Sequence, residues 1–339
     1  MIIKKNVLLS ELTTMRLGGA ASFVAEIESK SDIEAAYIFA EKNQLDTYIL
    51  GGGSNTIAPN EGFDGLVLIN KITGIDLVRK PESNTVTLKI GSGEILDNVV
   101  NYSTKQYLTG IESLSSVPGT IGGASIQNSG AYGQEIADSI TSIEVYDKTD
   151  KKFKVISKKD INYGYRKSIF NSEYKGRYFV TTIYLSLRVG EIENKLYPSL
   201  QRFLDENNFS DRSPQTIRMA VMSIRANKLP DPKVLPSAGS FFKNVTVTPD
   251  EAEKLRKKFP NIKTYVCGEN FEIPSGWLIE QAGLKGKTFH GMQVSDKAAL
   301  ILINKSAKSY DDLAAARSEI ISKVEQMFGI TLEQEPEEI

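Results

Sequence analysis

Apolar residues in the first hundred positions follow two alternating periods. Between Asp32 and Asn43, Ile33, Ala36, Tyr37 and Ala40 fall on one helical face, and Tyr48, Ile49 and Leu50 then form a short apolar run that stops at Gly51-Gly52-Gly53. The spacing predicts a helix, a buried strand and a glycine turn. Val86, Leu88 and Ile90 alternate with Thr85, Thr87 and Lys89, a half-buried strand that closes at Gly91-Ser92-Gly93. Ile95, Leu96, Val99, Val100 and Ser103 share the face of a following helix. From 140 to 190 the segments SIEVYD, KKFKVIS and YFVTTIYLSLRV are rich in β-branched and aromatic residues and lack a helical period, which predicts antiparallel strands. The polar stretch DENNFSDRSP at 205–214 marks a domain boundary. Beyond it the character is mixed: Ile217, Val221 and Ile224 open a helix, Thr248, Pro249 and Glu251 spell a capping box, and Leu313 to Phe328 reads as a long helix. No internal repeat or low-complexity stretch is visible.

The 339 residues are 40% hydrophobic, enough for two or three cores in a multi-domain globular enzyme. A formal net charge of -1 provides no broad positive field for DNA or RNA, though a local basic pocket for phosphate stays open. The single cysteine, Cys267, allows no intramolecular disulfide and reads as a half-buried thiol in a reducing compartment. No segment approaches the roughly 20 apolar residues of a membrane span, and no sustained apolar region precedes a small-residue cleavage site. The expectation is a cytoplasmic protein without a membrane span, with a monomer favoured. No His, Cys and carboxylate cluster has metal-ligand spacing, so no metal is expected. His290, the sole histidine, reads as structural or exposed, and Trp277 as core of the C-terminal region.

Two segments are too rich in glycine to be ordinary connectors. One is Gly51-Gly52-Gly53-Ser54-Asn55. The other runs through Pro118-Gly119, Gly122-Gly123 and Gly130-Ala131-Tyr132-Gly133. Consecutive residues without Cβ can turn successive N–H groups toward one point, an anion nest suited to pyrophosphate. Neither segment is the dinucleotide fingerprint, which needs a third glycine at fixed spacing and a distant acidic residue, and neither is a phosphate loop followed by Gly-Lys-Ser/Thr. Each alone reads equally well as a structural turn. Together they favour one large phosphate-bearing ligand.

The segments GGGSN (51–55), SVPGTIGGASIQNSGAYG (116–133), YGYRKSIF (163–170), KLPDPK (228–233), AGSFFKN (238–244), SGWLIEQAGLKG (275–286) and ALILIN (299–304) resemble, in order, those of the UDP-N-acetylenolpyruvoylglucosamine reductase family. The resemblance covers nearly the whole chain. It implies an α+β fold: an FAD-binding module of the vanillyl-alcohol-oxidase (PCMH) type in two subdomains plus a C-terminal α/β substrate-binding domain. The corresponding boundaries are 1–70 and 71–212 for the two FAD-binding subdomains, 213–328 for the substrate domain and 329–339 for a tail returning to the active site. The implied activity is reduction of the enolpyruvyl ether of a UDP-aminosugar in peptidoglycan synthesis, with FAD and NADPH as cofactors. FAD would contact Gly51, Gly52, Gly53, Ser54, Asn55, Pro118, Gly119, Gly122, Gly123, Gly130, Tyr132 and Gly133.

Such a reduction adds a hydride to one alkene carbon and a proton to the other while negative charge builds on the neighbouring carboxylate. By resemblance, Ser240 matches the proton donor. A serine hydroxyl is a weak acid, so the alkoxide it leaves needs support, for which Lys243 and Lys228 are candidates. Arg166 matches the carboxylate-stabilising arginine, whose planar fork can hold a carboxylate by two parallel bonds. Glu335 matches a glutamate that assists Arg166, a role that calls for protonation and hence a raised pKa. The family continues there into an apolar-basic stretch, whereas this chain reads Pro336-Glu337-Glu338-Ile339, so Glu337 is a rival register and a solvated acidic tail a third reading. Tyr197 matches the loop tyrosine that closes over the diphosphate in the longer class of the family, and Lys228 and Asn244 match contacts to the UDP-sugar or the reducing cofactor. An FAD-dependent sugar or alcohol oxidase of the same fold is the alternative enzyme, and a nucleotide-binding flavoprotein sensor the non-enzymatic one.

Overall fold

A computed structural model describes residues 1–79, 83–193 and 195–339. They divide into two compact units. The first comprises Met1–Asn6, Ala21–Gly52 and Asp64–Asn227, and the second Val7–Ala20, Gly53–Phe63 and Lys228–Ile339.

The first unit holds two large sheets and the short pair Gly130–Ala131 with Gln134–Glu135. One has the strand order Ile3–Leu8, Ala20–Ile27, Phe63–Asn70, Asp46–Leu50, its last two strands parallel. Helix Lys30–Lys42 starts where Ser29 accepts from the N–H of Asp32 at 3.2 Å, and it buries Ile33, Ala36 and Ala40 beside Ile27, Leu66 and Leu68 as its spacing requires. The other sheet runs Lys152–Ser157, Ile140–Asp147, Tyr178–Val189, Thr85–Gly91, Ile75–Arg79, antiparallel throughout, as the β-branched composition of 140–190 predicts. Val86, Leu88 and Ile90 meet helices Leu96–Lys105 and Ile121–Gln127 in its core. Ile95 departs from expectation. It caps the helix rather than joining its buried face, and it is 54% exposed.

The polar stretch at 205–214 connects two helices, Pro198–Glu206 and Pro214–Lys228, whose Leu200, Leu204, Ile217 and Val221 bury one another. That packing holds residues 214–227 in the first unit, so the contact division falls between Asn227 and Lys228 rather than near 213. Composition marks the polar turn. Helix-on-helix burial decides which unit the turn serves.

The second unit has a four-stranded sheet ordered Ser237–Ser240, Ile301–Asn304, Met292–Val294, Thr288–Phe289, and a three-stranded one ordered Val245–Val247, Asn270–Ile273, Tyr265–Cys267. Helix Pro249–Lys258 carries the capping box read from the sequence, with Thr248 and Glu251 each satisfying the other's backbone. Helix Tyr310–Phe328 buries Leu313, Ala316, Ile320, Val324 and Phe328 against Phe241, Leu278 and Met292. Met15, Leu17 and Ile57 complete the same core from the amino-terminal third of the chain. Trp277 is half-buried, its ring 5.9 Å from that of Phe328. Cys267 is exposed, not half-buried, because it ends the outer strand of the three-stranded sheet at a tight turn to Asn270. No described helix is long and apolar enough to cross a membrane.

Asp147, wholly buried, ends strand Ile140–Asp147. Its carboxylate accepts from Arg177 Nη2 at 2.7 Å, Lys154 Nζ at 2.6 Å and the N–H of Thr149 at 3.0 Å. Burial, the largest single influence, would raise its pKa, but the Arg177 and Lys154 cations and the backbone donors outweigh it and hold the carboxyl well below the ordinary range. A depressed folded-state pKa contributes stability above the unfolded value of about 4, lost as pH falls through the folded one. Asp147→Asn should therefore lower unfolding stability at pH 7 by about 2 kcal/mol, a figure discounted because both cations reach solvent. Urea titrations should show the deficit shrinking below pH ~4; a deficit unchanged down to pH ~2 would contradict the assignment.

Candidate active site

In the first unit the two glycine segments meet. A Cβ on Gly51 would lie 2.7 Å from the Thr120 hydroxyl, and one on Gly52 would lie 2.9 Å from Gly119 Cα, so a side chain on Gly52 would force the two backbones apart. Gly53 is constrained within the second unit. Its φ is +64°, its carbonyl accepts from the N–H of Thr14 at 3.0 Å, and an added Cβ would meet Leu12 O at 2.1 Å. Among the described residues, the N–H groups of Gly52, Gly53 and Ser54 donate to nothing in the chain. Three successive unspent donors suit the phosphate oxygens of FAD.

The second segment behaves differently. The N–H groups of Ile121, Gly122 and Gly123 donate to Glu94 O at 2.8 Å, Ser92 O at 2.9 Å and Thr120 Oγ1 at 3.2 Å, so these three donors are spent within the chain. Gly122 is small because a Cβ would sit 2.7 Å from Ser92 O. Gly123 keeps an open face, its added Cβ meeting only Thr120 Oγ1 at 3.6 Å. The first segment thus leaves three successive donors unspent, while the second spends those of Ile121, Gly122 and Gly123 on close packing.

Arg166 occupies a two-residue turn in which Gly164 and Lys167 exchange backbone bonds of 3.0 and 3.1 Å. Its φ of +53° is a left-handed conformation that costs a non-glycine residue on the order of 1 kcal/mol. The turn is held by Asn128, a buried left-handed helix cap whose amide donates to Gly164 O at 3.0 Å and to Glu135 Oε2 at 2.7 Å. Arg166 Nη1 reaches Asn128 O at 3.5 Å and stands 3.7 Å from where a Cβ on Gly130 would be. Arg166 and the Asn128–Gly133 block are therefore one local assembly. Tyr132 and Gly133 continue it toward Tyr197, which precedes helix Pro198–Glu206, 46% exposed, with its ring 6.0 Å from that of Tyr132 in an edge contact.

In the second unit, a bulge shifts the register of Ser237–Ser240 against Ile301–Asn304, and Gly239 at φ +71° turns the chain at Ser240. Ser240 Oγ forms no hydrogen bond among the described residues. The tail runs alongside: Lys243 N–H donates to Glu333 O at 2.8 Å, Phe242 bridges Gln334, and Glu335 N–H donates to Phe241 O at 3.0 Å. Glu335 is thus the tail residue whose backbone pairs with Phe241, the neighbour of Ser240, whereas Glu337 pairs with Thr56. Lys243 is committed to an ion pair with Glu333. Lys228 is exposed at the end of helix Pro214–Lys228. The amide of Asn244 bonds Glu272 and accepts from the N–H of Ser275 at 3.2 Å, so it already anchors helix Ser275–Gln281.

Ser240, Glu335, Lys228 and Asn244 belong to the second unit, and Arg166, Tyr132 and Tyr197 to the first. Two residues of the first unit escape sequence reading. Asn128 lies inside a quoted segment, but only its left-handed φ of +49° and its three-way bonding reveal its function. Arg225, on a helix that reads as ordinary amphipathic packing, has a buried Nε without a partner, and burial lowers its pKa against the smaller opposing influences of Tyr132 and Asp97. A half-buried cation whose buried Nε has no partner is a group that suits an anion.

A model of the FAD binding domain matches residues 21–155, and one of the UDP-N-acetylenolpyruvoylglucosamine reductase C-terminal domain matches residues 231–339. The chain is 32% identical to the UDP-N-acetylenolpyruvoylglucosamine reductase of Bdellovibrio bacteriovorus, covering 97% of both. It is 35% identical to that of Vibrio parahaemolyticus, covering 99% of this chain and 94% of the relative. The crystal structure of UDP-N-acetylenolpyruvylglucosamine reductase from Thermus caldophilus has the same fold, with a TM-score of 0.67 at 22% identity over 99% of each chain. The α+β architecture, the FAD-binding module and the order of the sequence segments agree from end to end, and the chain belongs to the UDP-N-acetylenolpyruvoylglucosamine reductase family.

Proposed function

We propose that this chain catalyses the FAD-mediated reduction of the enolpyruvyl ether of UDP-N-acetylglucosamine enolpyruvate to UDP-N-acetylmuramate in peptidoglycan synthesis, with NADPH as reductant, in the cytosol. The observation that supports the reading is the backbone pairing of Glu335 with Phe241, which brings an acidic residue of the tail alongside the segment of Ser240, a serine whose hydroxyl forms no hydrogen bond among the described residues. The membership of the family and the FAD binding domain match at 21–155 supply the chemical context.

FAD, held by the N–H groups of Gly52, Gly53 and Ser54, would supply the hydride once NADPH had reduced it. Ser240 delivers a proton to the alkene carbon next to the carboxylate. Arg166 holds that carboxylate through its planar fork as charge builds on it, and Glu335 assists on the same group. Arg166 is suited to this because its turn is fixed by Asn128 before any ligand arrives, so little ordering remains to be done at the moment of reaction. Tyr197 and Lys228 contact the diphosphate. Asn244 acts through helix Ser275–Gln281, since its amide is already engaged.

Ser240→Ala should leave flavin reduction by NADPH within about twofold of wild type while reoxidation by the enolpyruvyl substrate falls by a factor of about 10² to 10⁴. Stopped-flow absorbance of the flavin separates the two half-reactions, and undiminished reoxidation would remove the serine from the chemistry. Gly52→Ala introduces a Cβ against Gly119 Cα. An overpacking cost of about 1–3 kcal/mol, set against the cofactor, would raise the FAD dissociation constant by roughly tenfold or more. Titration of apoprotein followed by flavin fluorescence measures this, and wild-type affinity would show that the first glycine segment does not hold FAD.

A further inference from the structure

The tail that carries Glu335 is fastened along its whole extended length. Besides its bonds to Phe241 and Lys243, Glu337 N–H donates to Asn55 O at 2.9 Å, Ile339 N–H donates to Ile57 O at 3.1 Å, and Glu337–Glu338 pairs in parallel with Thr56–Ile57. Asn55 Nδ2 in turn donates to Glu335 O at 3.4 Å. In an extended chain alternate side chains face opposite ways, so Gln334 and Glu338 share one side of the tail and Glu335 takes the other. Pro336 reinforces this by confining Glu335 to extended backbone.

The side opposite Glu335 is gripped from helix Tyr310–Phe328. Arg317 Nη1 donates to Gln334 Oε1 at 2.6 Å and to Glu338 Oε1 at 2.7 Å, and Tyr310 Oη donates to the same Glu338 oxygen at 2.6 Å. The helix is itself fixed here, since the N–H of Tyr310 donates to Asn60 Oδ1 at 2.7 Å. From this geometry we infer that Arg317, Tyr310 and Glu338 form a clamp that positions Glu335 for the reduction, acting on the back of the tail and touching neither substrate nor cofactor. The inference rests on the proposed part of Glu335 in catalysis. Burial, the largest influence, favours protonation of Glu338, but the Tyr310 hydroxyl and Arg317 overcome it and hold the carboxyl below its ordinary range, so the clamp stays charged at neutral pH.

The test uses the FAD-loaded full chain and compares Arg317→Met, Glu338→Gln and Tyr310→Phe with Glu335→Gln, alone and combined. Each clamp variant should slow substrate-driven flavin reoxidation, Arg317→Met by on the order of tenfold, with flavin reduction by NADPH and the melting temperature little changed. Glu335→Gln should slow the same step further, and adding Arg317→Met to Glu335→Gln should cause no additional loss, because the clamp works only through Glu335. Tyr310→Phe and Glu338→Gln, milder changes, keep the test decisive should Arg317→Met fold poorly. If Glu335→Gln slows reoxidation but the clamp variants do not, or their effects simply multiply with it, the clamp inference falls and the reading of Glu335 stands. Unchanged reoxidation in Glu335→Gln would overturn both.

Discussion

At the end of strand Asp46–Leu50 two stretches of backbone run closer together than any side chain allows: Gly51 and Gly52 against Gly119 and Thr120. This approach joins the sheet of the first unit to the start of helix Ile121–Gln127, and that helix, through its cap Asn128, sets the turn that presents Arg166. The glycines would be required for this packing even in a protein that bound nothing. What separates packing from binding is the fate of the donors. The N–H groups of Ile121, Gly122 and Gly123 are consumed by the chain, whereas those of Gly52, Gly53 and Ser54 are left over among the described residues. A row of amides that the fold leaves without a partner in the chain is available to an anion, and Gly52 and Ser54 are open enough for one to reach them.

Local periodicity carried much of the fold. The buried faces of Ile33, Ala36 and Ala40 and of Val86, Leu88 and Ile90, the strand Tyr178–Val189 and the capping box at Thr248 were all legible because each depends on residues a few positions apart. What escaped depends on distant partners. Met15 and Leu17 join the core of Phe241 and Leu278, a membership no local window contains. Helix Pro214–Lys228 stays with the first unit because Leu200 and Leu204 lie under it, although the polar stretch before it has the composition of a linker. Ile95 fits a helical face by spacing, yet the helix begins one residue later and leaves it exposed.

The candidate site was legible to a similar depth. Family resemblance named Ser240, Arg166 and Glu335, but what distinguishes the surroundings of Glu335 from those of Glu337 is which carbonyl each N–H finds, Phe241 for one and Asn55 for the other. Pairing between chain segments so far apart leaves no trace in a one-dimensional pattern. The left-handed turn at Arg166 is equally hidden, since arginine is not a residue that announces such a conformation. Asn244 shows the converse. Its chemistry suits a sugar nucleotide, and the fold has already used that chemistry to start helix Ser275–Gln281.

The buried polar atoms without partners can be ranked by what their isolation costs. Thr13 Oγ1, Tyr37 Oη, Ser125 Oγ and Tyr163 Oη are neutral hydroxyls, and each is tolerable at about 1–3 kcal/mol. Tyr37, stacked on Tyr146 with ring centroids 5.4 Å apart, recovers part of that through its ring. Arg225 differs because its orphaned Nε belongs to a cation, and burial works against its charge. An anion arriving beside it would remove that penalty, and the gain would count within the anion's binding free energy. The amides of the first glycine segment and the orphaned Nε of Arg225 thus each favour a negatively charged ligand.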